Sequence, residues 1–172
     1  MASRRDFLTA FKKPLETEHK EVVLRPPYGL DESLFLSECS KCESKACSTH
    51  CEEGIIVIRA DGTPTLNFKK SGCTFCEECA KVCPMGVLKL ENSEYSDKLN
   101  ASFFITTESC MAHNKTICFS CKEPCIDDAI LFNGMFSPVI DMDRCTGCGF
   151  CISRCPTNAI EFSAVLIKKQ ED

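Results

Sequence analysis

Sixteen of the 172 residues are cysteine, and they fall into four groups of four with none left over. Group one is Cys39-x2-Cys42-x4-Cys47-x3-Cys51, and group two is Cys73-x2-Cys76-x2-Cys79-x3-Cys83, followed by Pro84. Group three is Cys110-x7-Cys118-x2-Cys121-x3-Cys125, and group four is Cys145-x2-Cys148-x2-Cys151-x3-Cys155, followed by Pro156. So many thiols must bond to each other or to metal, and that choice constrains the fold more than any apolar pattern. Disulfides need an oxidising compartment. The N-terminus offers no apolar export core, because Leu8 is followed by Thr9-Ala10-Phe11-Lys12-Lys13-Pro14. No stretch is long and apolar enough to span a membrane. The expectation is a cytoplasmic protein without membrane insertion, whose reduced thiols are metal ligands.

The spacing selects the metal. The run C-x2-C-x2-C-x3-C-P occurs twice and is the bacterial ferredoxin signature, in which the fourth cysteine ligates the other cluster of a pair. Three thiolates on a tight loop can wrap three corners of an iron–sulfur cube, and the fourth points away toward the cube of the partner motif. Pro84 and Pro156 fix φ and supply no N–H, which helps turn the chain there. Structural zinc commonly takes two separated Cys-x2–4-Cys pairs, which four cysteines within eleven residues fit poorly. Groups one and three are irregular, and their place at the head of each repeat is what makes them ligands. The cofactor reading is [4Fe-4S] clusters, four per chain.

A longer repeat frames the groups. After Cys51 come Ile55-Ile56-Val57-Ile58, Asp61-Gly62 and a run from Pro64 to Phe68. After Cys125 come Ala129-Ile130-Leu131-Phe132, Asn133-Gly134 and Pro138-Val139-Ile140. Asp-Gly and Asn-Gly between apolar runs signal hairpins. Gly86-Val87-Leu88-Lys89-Leu90 and Ala159-Ile160-Glu161-Phe162 can each add a short strand. The fold class expected is α+β: two tandem 2[4Fe-4S] bacterial-ferredoxin-like units with short strands and short helices, preceded by an irregular N-terminal arm. The boundaries are 1–30 for the arm, 31–92 for the first unit, 93–100 for a connector, 101–163 for the second unit and 164–172 for a tail.

If each unit holds its own pair, the metal ligands follow. Cluster one takes Cys39, Cys42, Cys47 and Cys83, and cluster two takes Cys73, Cys76, Cys79 and Cys51. Cluster three takes Cys110, Cys118, Cys121 and Cys155, and cluster four takes Cys145, Cys148, Cys151 and Cys125. The competing arrangement pairs group one with four and group two with three; the matched hairpins favour the local one. Ile55, Val57, Leu88, Ile130, Phe132, Ile140 and Ile160 are expected to pack around the cubes.

Other features are read more plainly. The formal net charge is −5, and metal ligation makes it more negative by deprotonating thiols. Such a surface repels nucleic acid and favours a basic face on a protein partner. His50 and His113 read as exposed loop residues, because the cysteine ligand count is already complete. The insert 111–117 reads as cover for a cluster edge or as a partner contact. Asp127-Asp128 reads as a solvated helix start. No catalytic residue is assigned and no enzyme activity is expected. Ser3-Arg4-Arg5-Asp6-Phe7-Leu8 looks like a twin-arginine export motif without the apolar segment that must follow. It reads either as a solvated basic arm or as a docking segment built on Arg4 and Arg5.

Taken together, Ser3-Arg4-Arg5, Arg25-Pro26-Pro27, Asp31-Glu32-Ser33, Cys73-Thr74-Phe75-Cys76, the x7 gap after Cys110 and Cys145-Thr146-Gly147-Cys148-Gly149 resemble the NapF-type ferredoxin-like proteins of the periplasmic nitrate reductase system. The resemblance covers nearly the whole chain. It departs at Glu43 to Ala46, four residues where the family pattern has two, and this bears on the geometry of cluster one. The resemblance implies a cytoplasmic accessory protein with four [4Fe-4S] clusters. It also implies binding to the catalytic subunit of periplasmic nitrate reductase and help in its maturation before export, with electron donation as one means. A general ferredoxin-type electron carrier, or an electron-transfer subunit of an oxidoreductase, is the alternative. A scaffold that gives up a labile cluster one is a third reading.

Overall fold

The cysteine groups and the hairpin turns between them interrupt regular structure often, and the elements are correspondingly small. The computed structural model describes residues 22–91 and 95–165. The helices are α1 (Glu32–Ser37), α2 (Ala46–Thr49), α3 (Glu78–Lys81) and α4 (Phe150–Arg154), with a 3-10 turn at Cys39–Lys41. The strands are β1 (Ile56–Ile58), β2 (Pro64–Leu66), β3 (Ala101–Ile105), β4 (Ile130–Asn133), β5 (Phe136–Ile140) and β6 (Ile160–Ala164). They pair antiparallel as β1–β2, β4–β5 and β3–β6.

Both expected hairpins form. In the first, Ile56 faces Leu66 and Ile58 faces Pro64. Asp61-Gly62 sits in the intervening loop, where the Asp61 carboxylate accepts from the Thr63 N–H at 2.9 Å and from the Thr63 hydroxyl at 2.7 Å. In the second, Asn133 faces Phe136, so Gly134 opens a two-residue loop with φ +64. That is the backbone a two-residue II′ hairpin asks of glycine at its first position. Strand alternation corrects one core expectation. Ile56 is buried and Val57 is 43% exposed, since successive side chains on a strand point to opposite faces.

The third pairing runs from Ala101 opposite Ala164 to Ile105 opposite Ile160. Its counterpart in the first half is reduced to one bridge, Gly29 to Leu88. Beside it the Lys89 N–H donates to Tyr28 O at 2.9 Å and the Leu30 N–H to Val87 O at 3.4 Å. The strand expected over Gly86 to Leu90 is therefore a bridge only, and its partner is chain that the sequence assigns to the arm. Pro26 and Pro27 carry no N–H, so a ladder cannot extend through them. Residues 22–30 contain no helix or strand, yet Leu24, Arg25 and Tyr28 are buried. The Arg4–Arg5 segment, part of the connector and most of the tail lie outside the described residues.

Arg25 explains why this segment is held. Its Nε donates to both Glu32 carboxylate oxygens, at 3.1 and 3.0 Å, and its Nη2 pairs with Glu32 Oε1. Its Nη1 donates to Thr63 Oγ1 at 2.8 Å and to Pro64 O at 2.7 Å. The guanidinium lies 4.8 Å above the Phe35 ring, a favourable place for a cation. Glu32 is presented by α1, whose N-cap Asp31 accepts from Ser33 and Leu34 N–H. Two of the stretches that carry the family resemblance, Arg25-Pro26-Pro27 and Asp31-Glu32-Ser33, thus form a structural clamp between residues 22–30, α1 and the first hairpin.

The two halves share one apolar core. Phe68 of the first half lies 5.9 Å from Phe103 and 6.0 Å from Phe162, ring centre to ring centre. A Cβ on Gly149 would stand 2.4 Å from the Phe68 ring, and one on Gly72 would stand 2.5 Å from Phe150 N. Asn100 is buried at the seam. Its Oδ1 accepts from the Arg25 N–H at 3.1 Å, and its Nδ2 donates to Val165 O at 2.6 Å and to Val23 O at 3.3 Å.

Candidate metal centres

The loops that carry groups two and four curl because two residues in each adopt left-handed backbone. Phe75 (φ +54) and Glu77 (φ +67) in group two correspond in spacing to Gly147 (φ +74) and Gly149 (φ +84) in group four. Left-handed backbone bends the loop around a centre, and glycine adopts it without steric cost. α3 and α4 follow immediately and present Cys79 and Cys151 from their first turns. Cys83 and Cys155 follow just beyond those helices and line the other cavity of their own half.

Four cavities result, each lined by four cysteines. Cys39, Cys42, Cys47 and Cys83 line the first, with Ile58, Pro64 and Leu88. Cys51, Cys73, Cys76 and Cys79 line the second, with Ile55, Ile56 and Leu66. Cys110, Cys118, Cys121 and Cys155 line the third, with Met111, Ala112 and Ile160. Cys125, Cys145, Cys148 and Cys151 line the fourth, with Phe103, Ile130 and Ile140. They hold about 360, 420, 330 and 340 Å³ of space, open mouths included. None of the four mixes cysteines of the two halves. Each unites three cysteines of one group with the last cysteine of the other group in its half.

The electrostatics show what such a set requires. Burial first, and neighbouring sulfurs second, push Cys39 and Cys79 up to about 12. Burial with the same repulsion takes Cys47, Cys73 and Cys121 to about 11. Burial and Cys148, Cys145, Cys121 and Cys125 raise Cys151 as well. Four thiolates cannot share an apolar cavity without a cationic centre to compensate them. The donor sets therefore fit an iron–sulfur cube, which takes four thiolates at separated corners. Among the described residues, no three His, Cys, Asp or Glu side chains converge on a point where one metal ion could be held. Backbone N–H groups also aim at sulfur: Phe75 at Cys73 (3.4 Å), Ala129 at Cys125 (3.2 Å) and Ala159 at Cys155 (3.1 Å).

The cavities lie in series. Cys79 feels Cys47 of the first cavity, and Cys151 feels Cys121 of the third. Across the seam, Cys73 feels Cys148, and its N–H donates to Cys148 O at 2.6 Å. The order in space is one, two, four, three. Sequence reasoning missed this junction, where Gly72 and Gly149 leave room for Phe150 and Phe68.

Several smaller readings change. His113 is half-buried, and its Nε2 lies 2.9 Å from Pro138 O, which ties the 111–117 insert to β5. Met111 and Ala112 of that insert wall the third cavity. Asp127-Asp128 starts no helix. Asp128 takes φ +49, and the Asp127 carboxylate accepts from the Thr146 hydroxyl at 2.7 Å beside the fourth cavity. His50 is exposed, as expected of a loop residue.

Residues 38–87 match the 4Fe-4S dicluster domain family, and residues 138–161 match the 4Fe-4S binding domain family. The chain is 34% identical over 163 residues to the ferredoxin-type protein NapF of Escherichia coli (strain K12), covering 92% of this chain and 93% of that one. It is 32% identical to the ferredoxin-type protein NapF of Haemophilus influenzae, covering 85% and 83%. It is 30% identical to the ferredoxin-type protein NapG of Escherichia coli (strain K12), covering 78% and 66%. With thiol sets of this chemistry and relatives matched along nearly the full length, the chain belongs to the NapF family of ferredoxin-type iron–sulfur proteins.

Proposed function

We propose that this protein is a cytoplasmic four-cluster accessory factor that binds the catalytic subunit of periplasmic nitrate reductase and assists its maturation before export, in part by passing it electrons. The observation that carries the reading is the set of four cysteine-lined cavities in series. A [4Fe-4S] cluster in each would supply one-electron chemistry. Cys39, Cys42, Cys47 and Cys83 would hold the first, Cys51, Cys73, Cys76 and Cys79 the second, Cys110, Cys118, Cys121 and Cys155 the third, and Cys125, Cys145, Cys148 and Cys151 the fourth.

The chain's own part is to hold sixteen thiolates in place, keep water off them with Ile55, Leu88, Ile130 and Ile160, and aim N–H groups at sulfur. Burial and hydrogen bonds to sulfur set where in the broad range of iron–sulfur potentials each site lies. Arg4 and Arg5 supply two fixed positive charges at the N-terminus of an acidic chain, suited to grip carboxylates on a partner. Two measurements test the reading. Anaerobic purification should yield about sixteen iron and sixteen sulfide per chain; zinc without sulfide would overturn the cluster assignment. Pull-down should favour immature catalytic subunit over mature. Fast reversible reduction with no such preference would instead establish the electron-carrier reading.

A further inference from the structure

Group one differs from groups two and four by two extra residues between its second and third cysteines. The lengthened loop, Glu43 to Ala46, carries Lys45, which takes left-handed backbone at φ +46 just before α2. This turns its side chain back over the loop. The ammonium donates to Cys39 O and, at 2.7 Å, to Gly62 O across in the first hairpin. Lys45 thereby lines the first cavity. Among the described residues no carboxylate pairs with it.

The neighbouring cavities carry the opposite charge or none. Glu52, Glu53 and Glu77 line the second, and Asp127 lines the fourth. Lys98 and Asp127 act on Cys145 with opposite sign. The lining of the third contains no charged side chain. A charge beside a redox centre shifts its potential in a fixed direction. Each electron taken up adds negative charge, which a nearby ammonium stabilises and nearby carboxylates destabilise.

We infer that Lys45 is a potential-setting residue that makes the site of Cys39, Cys42, Cys47 and Cys83 the most easily reduced in the chain. Electrons entering the series therefore settle at its first-cavity end. The inference rests on the cluster reading above. The step is uptake of one electron from a low-potential one-electron donor; no bond forms or breaks, and no proton moves. The irregular loop is then a tuning device that keeps its four thiols together while adding a cation.

The test is an anaerobic potentiometric titration of the holoprotein with dithionite, followed by EPR. Cys42→Ser, which alters one ligand of the first site, identifies its signal. That signal should be the first to appear as the potential falls. Lys45→Gln, which keeps a donor and removes the charge, should lower the reduced-to-oxidised ratio of that signal about tenfold at fixed potential, equivalent to about 59 mV for one electron. Lys45→Arg should keep the wild-type ratio. Should Lys45→Gln fail to assemble the first site, joint replacement of Glu52, Glu53 and Glu77 by Gln must raise the second site's ratio by a similar factor. An unchanged ratio in the variant that assembles, or a first electron on another site, overturns the inference. Absence of iron and sulfide would overturn the cluster reading itself, whereas four intact clusters without this ladder would overturn only the role of Lys45.

Discussion

Glu32→Ala is expected to damage the protein well beyond an ordinary surface change. The Glu32 carboxylate accepts from Nε and Nη2 of Arg25, a residue only 1% exposed. Removing it leaves a buried guanidinium without its direct counter-charge, with only Thr63 Oγ1 and Pro64 O still bonded. Breaking a buried pair from one side costs about 3–5 kcal/mol. The Glu32 side chain is 22% exposed, so water can enter and the low end applies, about 3 kcal/mol. For a chain of this length each kcal/mol moves the midpoint by about 2–4 °C, which gives a fall of about 6–12 °C. The assay is anaerobic thermal denaturation of the holoprotein at one fixed scan rate, followed by cluster absorbance, because cluster loss makes the transition irreversible. Gly62 and Pro64 of the released hairpin wall the first cavity, so its iron should be lost first. Arg25→Met combined with Glu32→Leu should recover much of the loss, since apolar replacement of both partners is often tolerated. A fall under about 2 °C for Glu32→Ala would refute the clamp argument.

Cys83→Ser should perturb the same centre as Cys42→Ala and spare the one held by Cys73, Cys76 and Cys79, because Cys83 lines the first cavity; Mössbauer spectra that group it with Cys76→Ala would refute the assignment. Gly149→Ala should destabilise the seam by about 1–3 kcal/mol, since its Cβ would stand 2.4 Å from the Phe68 ring on backbone at φ +84; unchanged denaturant resistance would refute it. Burial and neighbouring sulfurs push Cys39 and Cys79 up to about 12, so iron must displace protons held well above the ordinary thiol range. Cluster retention should therefore rise with pH and fall on acidification, as visible absorbance under anaerobic conditions will show; greater retention at lower pH would refute the sign.

The iron–sulfur chemistry and the four cysteine groups were legible in the sequence, which gave only a preference for how the groups pair. The x2, x2, x3 spacing confines three sulfurs to one loop whatever surrounds it, and the Asp-Gly and Asn-Gly turns mark both hairpins through local backbone preference alone. Contacts distant in sequence decided the rest. Arg25 reads as part of an irregular arm because Pro26, Pro27 and Gly29 interrupt regular structure there, and that says nothing of burial. Only folding brings Arg25 to Glu32 and Thr63 and buries it. The reduced strand at Leu88 depended on which segment came to lie beside it and on whether that segment could donate N–H groups. Val57 and Ile56 exchanged places because strand phase is set by the partner strand. The approach of Cys73 to Cys148, and the placing of Lys45 over one cavity and glutamates over the next, depend on how two similar halves pack. Spacing within either half carries no information about that packing, and the order of the centres follows from it.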